Sequence, residues 1–330
     1  MSPLEPHRTT RASDPLAPIR EALALGAVRL GIPDNIPIIL AVSGGPDSTA
    51  LLHAAAAIAP ERGWQLTVAH LDHSLRPTSA DESAAVLKTA ASLDLPAETR
   101  RTDVAALGRA EHRSLEDAGR QARYRFLEEL AAVRGPATLI ATAHTADDAA
   151  ETILLRLARG SGLRGLRGIP ARRGRIVRPL LAVRRATLRT ALDAAGIPYL
   201  VDPSNEDPRH ARNRVRRDVL PALERINPRV VEALTRLGAL AADDDDLLDT
   251  LAAAELSRRR SPGQATLDWH GPPPRALGRR VLRLAIGEPL PDAERIEALL
   301  TAAEGPRGGL TIEMGGGRRA TVRGRRITLG

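Results

Sequence analysis

One stretch, Pro37 to His53 (PIILAVSGGPDSTALLH), limits what this chain can fold into more than any other. Ile38, Ile39, Leu40, Ala41 and Val42 form the short continuous apolar run of a strand buried on both faces. Ser43, Gly44 and Gly45 then supply a hydroxyl and backbone freedom without bulk. Pro46 suits the first turn of a helix, and Thr49 to Leu52 opens an apolar helical face. The prediction is strand, glycine loop, helix.

Such a loop presents backbone N–H groups at the positive end of a helix, where an oligophosphate binds without a cationic side chain. It is not a Walker A loop, because no GK[ST] follows the glycines and Lys88 is the chain's only lysine. Asp47 stands out, since a carboxylate repels phosphate unless a cation lies between them. Mg²⁺ held by oxygen ligands and substrate phosphates is therefore expected there. A plainer reading, a capped helix start with Asp47 facing the dipole, accounts for the six residues SGGPDS taken alone.

Length and charge narrow the rest. At 330 residues, one large and one small domain are expected. Aromatic residues are only 2%, so Ala, Leu, Val and Ile must fill the core. The net charge of +8 is carried almost wholly by arginine, whose planar fork suits phosphate and nucleic acid. With no cysteine in the sequence, disulfides, thiolate zinc sites, iron–sulfur clusters and persulfide relays are excluded. No segment approaches the ~20 apolar residues of a membrane span, and the first residues lack a signal-peptide core. A soluble, cytoplasmic protein with a disordered lead-in over residues 1–15 is expected.

Strands are predicted at Gln65–Leu71, Ala97–Thr102, Thr138–Ala143 and Gly174–Leu181. Helices are predicted over 16–31, from the loop to Ala59, and over 79–93, 114–133, 187–195 and 221–256. This alternation gives an α/β fold, a doubly wound, mostly parallel sheet, followed by a smaller helical and α+β region. A second candidate site, AHTADDAAETILLRLARGSGLRGLRG, begins just past the fourth strand. His144, Asp148 and Glu151 fall at i, i+4 and i+7, so an early helix start would put them on one face. Asp148 would then join Asp47 on the metal, with His144 and Glu151 left for substrate contacts or proton handling. Acids also simply favour a helix N-terminus.

SGGPDS after a buried strand resembles the PP-loop of the N-type ATP pyrophosphatases, and the other motifs resemble the tRNA(Ile)-lysidine synthase family within that superfamily. The resemblance covers residues 30–220 closely. It implies ATP contacts from Ser43, Gly44, Gly45, Pro46, Asp47 and Ser48. Further ATP contacts are implied for Asp72 in DHSLR, and for Arg120 and Arg123 in ARYRFLEEL, where RNA phosphate is an alternative. It implies tRNA or substrate contacts from Arg76, from Arg159, Gly160, Ser161 and Gly162 in the glycine-rich element, and from Asp202, Asn205, Arg212, Asn213 and Arg216 in DPSNEDPRHARNRVRR. Two departures from the family's AHHxxDQxET are Thr145 and Ala149. The implied division is a catalytic domain over 16–217 and a tRNA-binding domain over 218–330, with a homodimer possible. The implied reaction uses ATP to adenylate C2–O of the wobble cytidine in an isoleucine tRNA with a CAU anticodon. L-Lysine then displaces AMP, and Glu151 and His144 are the candidate proton acceptors. A thiolase-like PP-loop enzyme and a catalytically silent RNA-binding homologue are the alternatives.

Overall fold

The apolar runs do become a stack of parallel strands, and their alternation explains why they are apolar throughout. In the computed structural model, residues 14–74, 79–201, 207, 209–260, 263, 265–288, 291–305 and 309–330 are described. Helices and strands alternate as α1 (Ala17–Arg29), β1 (Pro37–Ala41), α2 (Pro46–Arg62), β2 (Gln65–Asp72), α3 (Ser79–Ser92), β3 (Ala97–Arg101), α4 (Val104–Ala110), α5 (Leu115–Arg134), β4 (Leu139–Thr142) and α6 (Ala146–Ala158). The one-turn α7 (Leu163–Leu166), the short β5 (Arg172–Arg173) and β6 (Ile176–Val177), and α8 (Arg185–Ala194) follow. In β1, Ile38 and Leu40 join the core under α1, α2, α3 and α8, whereas Ile39 joins Phe126 and Leu127 of α5 on the opposite face. A strand sandwiched this way needs apolar residues at every position.

Strand order is β3-β2-β1-β4-β6-β5, parallel except for the β5–β6 hairpin. The order reverses between β1 and β4, which pair in register with Ala41 opposite Thr142. The loops that leave the carboxyl ends of these two strands therefore emerge side by side, at the crevice where open α/β sheets bind ligands.

The strand expected at Gly174–Leu181 shrinks to Ile176–Val177. Pro179 lacks a ladder donor, and Arg178 turns inward to donate to the Pro170 carbonyl at 2.7 Å. Past it, α9 (Ala211–Arg214) runs through a π-helical turn (Val215–Val219) into α10 (Leu220–Ile226). Pro221 has no N–H for the carbonyl four residues back, one local reason for the wider turn. The single helix expected over 221–256 is interrupted before α11 (Val230–Arg259), because Asn227, preceding Pro228, is extended at φ −137° and ψ 103°.

Two compact units divide inside α11, between Gly238 and Ala239, where the sequence reading drew its boundary at 217/218. The second unit contains β7 (Thr266–Asp268), α12 (Arg275–Ile286), α13 (Ala293–Glu304), β8 (Leu310–Gly315), β9 (Arg318–Arg323) and β10 (Arg326–Leu329). Its antiparallel sheet, β7-β10-β9-β8, is built on Trp269, Val281, Leu299, Met314 and Ile327. Among the described residues, no helix is long and apolar enough to cross a membrane.

Candidate active site

The glycine loop after β1 is held by its own side chains. Ser43 N–H donates to Ser48 Oγ at 3.2 Å, and Ser48 Oγ donates to the Gly45 carbonyl at 3.0 Å. Gly44 has φ +83°, and a Cβ there would lie 2.5 Å from Leu200 Cδ1, so both conformation and space require glycine. Gly45 caps α2 and Pro46 opens it. The start of that helix, whose first N–H groups lack intrahelical acceptors, borders a cavity of about 490 Å³ lined by Ser43, Asp47, Ser48, Asp72, His144 and Asp148.

The loop after β4 brings the second set of groups. Thr145, in place of the family's second histidine, is the N-cap of α6, and its side chain and Asp148 form a reciprocal capping box. Asp148 Oδ2 accepts from Thr145 N–H and Oγ1, each at 2.8 Å. The helix thus begins after His144, which does not share a helical face with Asp148 and Glu151 as the i, i+4, i+7 spacing would allow. His144 instead sits at the strand end, Nδ1 2.9 Å from Thr142 Oγ1. Ala149, the other departure, is buried in α6.

The cation found between Asp47 and Asp148 belongs to the protein. Arg185 donates from Nε to Asp47 at 3.1 Å, from Nη2 to Asp148 at 2.8 Å, and from Nη1 to Glu151 at 3.1 Å. One guanidinium thus joins three carboxylates. Glu151, fully buried, also accepts from Arg212 Nε at 2.7 Å and from Arg216 Nε at 2.7 Å, and Arg212 reaches Asp148 at 3.1 Å. Arg212 and Arg216, four residues apart across the π-helical turn, approach Glu151 from one side. Three acids and three arginines leave the cluster neutral overall.

Its electrostatics separate the acids. Burial opposes ionisation of Asp148, but Arg185, Arg212 and the Thr145 N–H outweigh it and hold its pKa below the usual carboxylate value. Glu151 is held down in the same way, burial being overcome by Arg216, Arg185 and Arg212. Asp47 goes the other way: burial, aided by the neighbouring Asp148 charge, raises its pKa despite Arg185. His144 is pushed down to about 4, chiefly by burial, with Arg178, Arg212 and Arg120 lowering it further against Asp148.

Asp47 Oδ1 is buried with no hydrogen-bond partner. An orphaned carboxylate oxygen beside a phosphate-type loop fits a Mg²⁺ ion. Among the described residues, no group of three His, Cys, Asp or Glu forms a protein-only metal cage. A magnesium site completed by substrate phosphates needs only one or two carboxylates, so this residue set fits that type.

The other expected residues fall into three groups. Asp72 ends β2 in the pocket wall, where its Oδ1 accepts from Ser74 N–H at 2.8 Å. Arg123 also lines the cavity and meets His73 Nε2 at 3.0 Å. Arg120 does not reach this cavity; its guanidinium lies 4.9 Å over the Tyr124 ring in a neighbouring cleft. Asn213 donates to the Asp207 carbonyl at 2.9 Å. Arg159, Gly160, Ser161 and Gly162 cap the far end of α6, about 16 Å along the helix from Asp148, and are not brought to the acids. Arg76, Asp202 and Asn205 lie outside the described residues.

Sequence reasoning passed over Arg185, because the helix was expected to begin at Thr187 rather than at Arg185 itself. A signal was present in the pair Arg184–Arg185. Arginine in a first helical turn opposes the dipole, so nearby acids must hold it there. Arg184 contacts Asp147 at 3.3 Å and Glu224 at 2.7 Å, and Arg185 N–H donates to Asp147 at 2.7 Å.

Comparison with known proteins gives the family. Residues 28–223 match the PP-loop domain family model. A tRNA(Ile)-lysidine synthase of Salinispora tropica is 46% identical over 75% of this chain and 74% of its own length. Those of Salinispora arenicola and Thermobifida fusca are 40% and 39% identical, and each comparison covers more than nine-tenths of both chains (96% and 96%; 93% and 96%). The chain belongs to the tRNA(Ile)-lysidine synthase family. Among solved structures, a U34-tRNA thiolase from Methanococcus maripaludis with a [4Fe-4S] cluster shares the fold, with TM-score 0.55 and 16% identity over 68% of this chain and 78% of that one. A lysidine synthase family chain without cysteine has no thiolates for such a cluster.

Proposed function

We propose that this protein is an ATP-using ligase that forms lysidine in an isoleucine tRNA with a CAU anticodon. ATP would adenylate C2–O of the wobble cytidine, releasing pyrophosphate, and the amine of L-lysine would then add at C2 and displace AMP. A carbonyl oxygen is a poor leaving group, which is why it must first become an ester of AMP. The single observation that supports this reading best is the meeting, through Arg185, of Asp47 at the start of α2 with Asp148 and Glu151 in the first turns of α6, beside the phosphate-type loop.

In this reading the loop N–H groups and the α2 terminus hold the β- and γ-phosphates. Asp47 and Asp148 would hold Mg²⁺, which when bound supplies charge to neutralise the departing pyrophosphate. Arg185 keeps these acids together in the free protein. Glu151, with both oxygens engaged by arginines, anchors Arg185, Arg212 and Arg216 and is poorly placed to take a proton. His144 lines the cavity outside the arginine cluster, so it is the better placed of the two to meet the lysine amine, although its lowered pKa makes it a weak base. The test is incubation with ATP, Mg²⁺, radiolabelled lysine and the tRNA transcript. Label is expected in RNA, with one AMP released per lysine incorporated; no label in RNA would refute the assignment.

A further inference from the structure

A second cleft, about 670 Å³ in volume, lies beside the nucleotide cavity and shares Tyr124 with it as a wall. One side is a single face of α5, with Arg120, Tyr124 and Glu128 at i, i+4 and i+8; the other is the β5–β6 hairpin, with Arg173 and Arg178. Arg120, Arg173 and Arg178 have no acidic partner among the described residues. Arg178 is the informative one. It is only 3% exposed, Nη1 is satisfied by the Pro170 carbonyl, and Nε is buried without any acceptor. That guanidinium is fixed in the cleft wall, so it contributes a positive charge there rather than an exposed donor.

The lining also favours an aromatic ligand. The Arg120 guanidinium sits 4.9 Å above the Tyr124 ring, a ready platform for a planar base. Single-stranded RNA is recognised by this pairing of stacking planes with phosphate-binding arginines. The cleft is larger than one phosphate needs, and Tyr124 is common to its wall and that of the nucleotide cavity.

We propose that this cleft binds the RNA segment adjoining the nucleotide under modification, with a base stacked at Tyr124 and Arg120 and the backbone phosphate held by Arg173, beside the fixed positive charge of Arg178. The proposal rests on tRNA being the substrate, and it assigns Arg120 to RNA rather than to ATP. Arg120 and Arg173 are exposed side chains, so substituting them should leave the fold intact.

The test measures equilibrium binding of the tRNA transcript to the full-length protein over a range of salt concentrations, together with KM for ATP and for lysine. Arg173→Glu and Arg120→Gln are each expected to weaken tRNA binding about tenfold. Arg173→Gln should lower the slope of log K against log salt by about 0.7, the loss of one single-strand phosphate contact, while Arg173→Lys restores most of it. Tyr124→Phe should bind like the wild type and Tyr124→Leu should not. KM for ATP should not move with either arginine. Unchanged tRNA affinity and salt slope in Arg173→Glu and Arg120→Gln, with a wild type that binds normally, would overturn the proposal and leave the substrate assignment standing. A rise confined to KM for lysine would overturn it too, by making the cleft an amino-acid site. A wild type that does not bind the transcript would overturn the substrate assignment and the proposal together.

Discussion

Replacing Glu151 by Gln tests the charge cluster with the least change of shape. The carboxylate is fully buried and accepts from Arg185 at 3.1 Å, Arg212 at 2.7 Å, and Arg216 at 2.7 and 3.2 Å. In the amide, one oxygen remains an acceptor, but the NH₂ group must face guanidinium donors, and the cluster is left with an uncompensated positive charge. Breaking a buried ion pair from one side costs about 3–5 kcal/mol. Arg212 and Arg216 are 33% and 31% exposed and can turn toward water, so the lower end, about 3 kcal/mol, is expected. For a unit of this size that corresponds to a fall in Tm of roughly 6–12 °C. The two tryptophans allow the measurement to be confined to the first unit, since Trp64 is buried in its core and Trp269 in that of the second. In a Trp269→Phe background, thermal unfolding followed by Trp64 fluorescence should show the fall. Adding Arg216→Met should cost less in the Glu151→Gln variant than in the wild type, by about 1–3 kcal/mol. A Tm within about 1 °C of the parent, or strict additivity, would refute the view that Glu151 anchors the arginines.

Other consequences follow from the same geometry. Arg185→Ala removes the shared cation, so the metal-free protein should lose about 3 kcal/mol. Millimolar Mg²⁺ should then raise its Tm more than it raises that of the wild type; equal shifts in a thermal scan would mean that guanidinium and ion do not share the site. Stability should fall with acid in two stages, followed by fluorescence against pH. His73 and His144, both held down to about 4 mainly by burial, bind protons more readily when unfolded, so stability is lost as pH drops from their ordinary value of 6.5 through about 4. Asp148 and Glu151, with depressed folded pKa values, contribute stability above their ordinary 3.8 and 4.5 that is lost as pH falls below those values. Asp47, raised, has the opposite sign and blunts that second stage. His144→Asn should reduce the first stage by about half, leaving the His73 part, and leave the second. Gly44→Ala must hold φ at +83° and press a methyl group on Leu200, so it should cost about 1–2 kcal/mol and weaken ATP binding in a filter or calorimetric assay.

The strands and the phosphate-type loop were legible because buried parallel strands and helix starts carry local signals. β1, α2, β2, α3, β3, α5 and β4 fall within three residues of their predicted bounds. Asp47 could be singled out because an acid beside a glycine loop is chemically odd, and Asp148 and Glu151 by their spacing just past the fourth strand. What held them together could not, since Arg185 reaches them from 34 to 138 residues away and its helix start lacks an ordinary cap. Which cleft Arg120 lines was hidden for a related reason. Its sequence neighbourhood places it on a face of α5, but only the β5–β6 hairpin opposite shows which cleft that face lines. His144 was expected on the helix because spacing alone does not show that Thr145 is the N-cap.

The claim on which the chemistry depends is that Asp47 and Asp148, in the first turns of the helices that follow adjacent strands, act together at the phosphate site. It is tested most directly by the rate of tRNA-dependent AMP formation in Asp47→Asn and Asp148→Asn, with thermal unfolding confirming that each variant folds. Each change should slow AMP formation on the order of a hundredfold or more, and the double variant should be little slower than either single one. AMP formed at the wild-type rate by either folded variant would contradict the account.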